Sequence, residues 1–210
     1  MPFYKFLAAG ATGSFSGARW PTPGDGVAEW VVAGDAAADG REGSRVCRVA
    51  HLPHWIAEEL WRVDVDGPLT ESDADVTAPA VRLVGRVAGW DGDTGRAWAA
   101  DGAWRARDAL AARLAANGHL DEAAELHATT TLATLSALAF GQADALAGEI
   151  DNELADRLGV LGEAADEAEH AWAAAALQSS MVAVAGWSSA GQSAERTWQA
   201  EWLAERLGLA

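Results

Sequence analysis

The hydrophobic pattern is clearest between Leu60 and Gly67, where Trp61-Arg62-Val63-Asp64-Val65-Asp66 alternates apolar and polar residues. A period of two marks a strand with one buried face. Asp66-Gly67-Pro68 then closes it as a turn. Shorter runs of the same character at Phe3 to Leu7 and Glu29 to Val32 predict two further strands. Val81 to Val87 predicts a fourth, with Val81, Leu83, Gly85 and Val87 on one face. The stretch from Leu52 to Leu60, which contains Pro53, reads as one short helix.

The pattern changes after Trp90. All six prolines lie before it, and the later sequence is rich in helix formers. Successive cap residues predict five helices: Thr94 to Asn117, Asp121 to about Gly141, Asp144 to Gly159, Glu163 to about Ala185, and Ser193 to Leu207. The second places Leu126, Thr129, Thr130, Ala133, Ala137 and Phe140 near one stripe. Short connections imply antiparallel neighbours. The chain is therefore expected to be α+β: a β-rich domain with one short helix over residues 1–90, and an all-α antiparallel bundle of four to five helices over 91–210.

Composition narrows the partners. The 210 residues carry 31 acids and 15 bases, a net charge of −16. Such a surface repels phosphate backbones and anionic lipid, so neither nucleic acid nor a membrane is expected as a partner. No apolar run reaches the ~18 to 20 residues of a membrane helix, and the N-terminus lacks the features of a signal peptide. A single cysteine, Cys47, excludes an internal disulfide and fits a reducing cytoplasm. Every base but Lys5 is an arginine, a bias of high-GC bacterial genomes.

No motif completes a catalytic set. Gly10-Ala11-Thr12-Gly13-Ser14-Phe15-Ser16-Gly17 resembles the glycine-rich turn of short-chain dehydrogenases, but Pro21 and Pro23 stand where its helix should follow. The only tyrosine and lysine are adjacent, so that family's Tyr-x-x-x-Lys pair is absent. Cys47, His51 and His54 are good zinc ligands in type, yet fewer than a structural site needs, and Glu167-His170 is a lone Glu-x-x-His pair. No metal or cofactor is expected. Arg41, Arg45, Arg48 and Arg62 concentrate positive charge that could hold a small anion, or pair with Glu42, Glu58, Glu59 and Asp64. Nine acids between Asp144 and Glu169 form either a solvated face or a docking face for a cationic partner. Among the eleven tryptophans, Trp20 and Trp30 stand in Gly/Pro-rich sequence and are candidates to line a cleft.

Tyr4-Lys5-Phe6-Leu7, Phe15-Ser16-Gly17, Trp20-Pro21, Glu29-Trp30-Val31, Cys47-Arg48, Leu52-Pro53, Trp55, Glu59-Leu60-Trp61-Arg62-Val63 and Asp66-Gly67 together resemble an uncharacterised N-terminal domain family of high-GC, actinobacteria-like bacteria. The resemblance covers about the first ninety residues. The alanine-rich C-terminal helices are similar to tails that accompany it, and more faintly to immunity-type helical proteins of bacterial toxin systems. The family implies an architecture and no activity. The order of elements from Cys47 to Gly67 is also similar to small ADP-ribosyltransferase-like domains, whose His-Tyr-Glu residues have no placeable counterpart here.

Two functions follow as expectations. One is a non-catalytic binding or assembly protein of a bacterial cytoplasm, recognising a protein partner or small ligand, or forming a homo-oligomer. The other is a small enzyme or ligand binder with a pocket where the halves meet. The binding candidates are Trp20, Trp30, Arg45, Arg48, His51, His54 and Trp55.

Overall fold

The computed structural model describes residues 2–14, 16–24, 26–35, 44–147, 152–167, 172 and 188–209. The chain is α+β, with small antiparallel sheets first and helices after them. Two compact units form: residues 1–92 together with 197–210, and residues 93–196. Among the described residues, no helix is long and apolar enough to cross a membrane.

In the first unit the strands are β1 (Phe3–Leu7), β2 (Val31–Val32), β3 (Ser44–Val46), β4 (Glu59–Asp66), β5 (Thr70–Glu71), β6 (Val76–Ala78) and β7 (Ala80–Arg86). One sheet has the order β1-β4-β7-β2 and the other β3-β6-β5, all antiparallel. Tyr4 and Cys47 exchange backbone hydrogen bonds of 2.8 and 2.7 Å, which ties the continuation of β3 to β1. The alternation in β4 works as its sequence implies. Trp61 and Val63 enter a core with Leu7, Trp20, Val31, Val46, Val81 and Leu83, while Arg62 and Asp64 point outward. On the other face Phe6 meets Trp90 edge to face, with ring centres 5.5 Å apart. Gly67, at φ 91°, turns the chain out of β4, and a Cβ there would stand 2.8 Å from Cγ of Pro79.

Three short strands, β3, β5 and β6, were not visible in the residue pattern, because two or three residues show no period. The helix expected from Leu52 to Leu60 is instead a 3-10 helix at Val49–His54, and β4 begins at Glu59. Pro53 lies inside that helix and has no N–H to donate, which suits a short element.

The second unit holds α1 (Gly92–Ala116), α2 (Leu120–Ala128), α3 (Leu132–Leu146), α4 (Asn152–Asp166) and the start of α5 (Ser189–Leu207). Leu110, Leu114, Leu126, Leu135, Leu154, Leu158 and Leu161 form its core. The helix expected from Asp121 to Gly141 is split in two. Thr129 leaves α2 in an extended conformation, and the Thr131 hydroxyl accepts from the Thr134 amide at 3.2 Å, capping α3. Three consecutive β-branched threonines favour this break over continuation. The expected stripe through Phe140 is lost with it, and that ring is half-exposed. Gly141 and Gly159 stop no helix; both lie inside α3 and α4. Most of the helix expected from Glu163 to Ala185 lies outside the described residues.

Candidate functional site

An open groove of about 410 Å³ lies on the first unit, where β4 continues past the start of β1. Phe3 and Trp30 are its aromatic walls, Val63 and Val65 its apolar lining, and Asp64, Asp66 and Arg82 its charges. Trp30 is 38% exposed, held there because it precedes the short edge strand β2 beside β7. The Arg82 guanidinium lies 4.6 Å from the centre of the Trp30 ring. The same guanidinium donates from Nε and Nη2 to Asp64 Oδ2 at 2.9 and 2.7 Å. Asp64 and Arg82 face each other because their strands pair in that register. Asp66 is exposed and has no ion-pair partner among the described residues.

Beyond Phe3 the arrangement repeats twice. Arg48 lies 4.8 Å over the Phe3 ring and donates to Glu71 from Nε at 3.0 Å and Nη2 at 3.4 Å. That hydrogen bond and charge hold the Glu71 carboxyl below the ordinary carboxylate value. Arg45 lies 5.6 Å over the Trp55 ring, with its Nε 3.4 Å from Asp75 Oδ2, and the Trp55 indole donates to the Ala74 carbonyl at 2.7 Å. The residues Arg45, Arg48, His51 and Trp55 therefore do gather, on β3 and the turn after it, against the β5–β6 hairpin. Their carboxylates are Glu71 and Asp75 rather than the Glu58, Glu59 and Asp64 expected from sequence, because β3 pairs with β6 and not with β4. Arg41 and Glu42 lie outside the described residues.

Of the two candidate histidines, His51 has a structural position. His51 is buried, and its Nδ1 accepts from the Arg48 amide at 3.4 Å, closing the start of the 3-10 helix. Its Nε2 is 3.9 Å from Glu71. His54 is exposed. Cys47 is buried, and that burial pushes its thiol up to about 12, so it stays protonated at neutral pH. Among the described residues, no three His, Cys, Asp or Glu side chains converge to hold a metal.

One candidate turns out to be core, and another is filled by the chain itself. Trp20 is 1% exposed and forms no cleft wall; the ammonium of Lys5, itself buried, lies 4.8 Å from its ring centre and donates to the Arg45 carbonyl at 2.7 Å. The glycine-rich turn is occupied by the chain itself. Gly10 and Ala11 both have positive φ, at 71° and 55°, and their amides each donate at 3.1 Å to the Glu59 carboxylate. The Trp61 indole adds a third bond to it at 3.0 Å. The anion those amides attract is thus Glu59, which the sequence offered only as an ion-pair partner for the arginines. Its only signal is an acid two residues before Trp61, at the head of the alternating strand.

In the second unit, Asp144 of α3, Glu153, Asp156, Glu163 and Asp166 of α4, and Glu167 just after it are all exposed, while Leu154, Leu158 and Leu161 of α4 face inward. The described part of the acidic run is therefore a hydrated helix face. Comparison with known protein families, curated proteins and solved structures yields no match to this chain.

Proposed function

We propose that this chain is a non-catalytic binding protein of a bacterial cytoplasm, whose N-terminal unit recognises a protein partner through the groove beside Trp30. The observation that carries this reading is the groove: an open channel with two aromatic walls, each stacked by an arginine that is itself ion-paired. Such side chains are held before a partner arrives, so less conformational freedom is lost on binding. Aromatic residues at a partly exposed site are the usual anchors of protein recognition. Against catalysis, the titratable groups near the groove are already paired to one another or open to water. The cytoplasmic setting rests on the single cysteine and on the absence, among the described residues, of a membrane-crossing helix.

The test is retention of host proteins by the purified full chain and by Trp30→Ala. The variant removes a wall of the groove and leaves the Arg82–Asp64 pair in place. A partner held through this site should be retained about tenfold less, or lower still, with the melting temperature nearly unchanged. An identical set of retained proteins for both chains would sink the reading.

A further inference from the structure

The charges of the groove point to its occupant. Arg82 is neutralised by Asp64 at 2.7 Å, and Arg48, behind the Phe3 wall, by Glu71 at 3.0 Å. Neither guanidinium is free to meet an anion without first giving up a carboxylate and an aromatic face. Asp66 stands in the same lining with no counter-charge among the described residues. Summed over the lining side chains, Asp64, Asp66 and Arg82 leave one net negative charge. The rest of the molecule adds to the same sign, at −16 overall, and steers cations toward it.

The shape narrows the choice further. The groove follows Val63, Asp64, Val65 and Asp66, four consecutive residues of one strand. At about 3.3 Å per residue that is a track of about 10 Å, the length of three residues of extended chain. It is open to solvent, whereas small-molecule sites enclose most of their ligand. Its apolar walls would cover the side chains that flank a charged one.

We infer that the groove receives an extended peptide segment of a partner protein, with a lysine or arginine side chain placed at Asp66 and its apolar neighbours against Phe3, Trp30 and Val65. This inference rests on the binding reading above and adds the chemistry of what is bound.

The experiment is an amide-resolved NMR titration of the full chain with N-acetyl-leucyl-arginyl-leucinamide, in about 20 mM salt, where a Debye length near 20 Å leaves the charges unscreened. The glutamyl analogue of the peptide is the control. Saturable shifts are expected at the amides of residues 63–66, with none from the glutamyl peptide. Asp66→Asn should weaken the arginyl peptide by about threefold to tenfold, in the range of one partly exposed ion pair. If the glutamyl peptide binds as well as the arginyl one, or Asp66→Asn binds as well as wild type, the inference about charge is overturned while the groove remains a binding site. If neither peptide moves residues 63–66 at any accessible concentration, the charge inference and the groove reading both fail. Shifts confined to the acidic face of α3 and α4 also overturn it, since the cation would then be reading bulk charge.

Discussion

At Glu59, three donors and one strand end meet on a single carboxylate that is 8% exposed. Its two oxygens take the amides of Gly10 and Ala11 and the indole of Trp61, with Arg86 3.7 Å away. Removing it leaves buried donors without an acceptor, which costs more than the bonds themselves contribute. Glu59→Ala should therefore lower the unfolding free energy by about 2 to 3 kcal/mol, read from the urea midpoint. A variant as stable as wild type would mean the Gly10–Ala11 turn holds its shape unaided. Cys47 makes a second residue-level case, with a sign that can be worked out. Its folded value is raised, from 9.0 to about 12, by burial. The unfolded thiol ionises first, so the stability it contributes is whole below pH 9.0 and falls as pH rises toward 12. Between pH 8 and pH 10, wild type should lose about 1 kcal/mol more than Cys47→Ala, which has no thiol to titrate. Equal losses would show that the thiol is not held neutral.

Among the elements, the corner after β4 depends most on one residue. Gly67 has φ 91°, a region that side-chain-bearing residues avoid, and its missing Cβ would lie 2.8 Å from the Pro79 ring. Neither problem has an easy escape, because proline is rigid and Ala80, next along, pairs with Asp66. Gly67→Ala is expected to cost about 2 kcal/mol or more, seen as a fall of several degrees in the melting temperature. A neutral outcome would mean the β4–β5 corner can be rebuilt. The same strand shows what the residue pattern could and could not reveal. The alternation from Trp61 to Asp66 in β4 is long enough to read, as is that of β7, while β1 reads as a short apolar run interrupted only by Lys5. β3, β5 and β6 owe their existence to pairing, which local sequence does not encode. Thr129 to Thr131 misled in the opposite way: threonines at helical spacing look like part of a stripe, until one of them caps the next helix instead. At the site, Trp30 and the Arg45–Trp55 neighbourhood were visible as aromatic and basic residues in punctuated sequence. The Arg82–Asp64 pair and the Glu59 acceptor were not, since each joins positions 18 or more residues apart.

For the whole molecule, charge is the property with the widest reach. The 31 acids and 15 bases leave a large imbalance that the ion pairs do not remove. Those pairs are mostly at the surface: Arg48–Glu71, Arg82–Asp64 and Arg157–Glu153 each have a partner about half exposed or more. Surface pairs of this kind contribute about 0 to 1 kcal/mol each, and less as salt is added. Repulsion among the uncompensated acids opposes the compact state, and salt screens it over about 10 Å at 0.1 M. Two effects of salt therefore compete, and with twice as many acids as bases the relief of repulsion is the larger. Raising sodium chloride from about 10 mM to about 300 mM should increase the melting temperature by a few degrees. The groove should respond in the opposite direction, because a basic peptide at Asp66 is drawn by the charge that salt screens. Stability rising while peptide affinity falls, measured on one protein in one salt series, is the expected pair of outcomes. If the melting temperature instead falls with salt, attractive pairs dominate the surface, and the long-range attraction assigned to the −16 charge has been overstated.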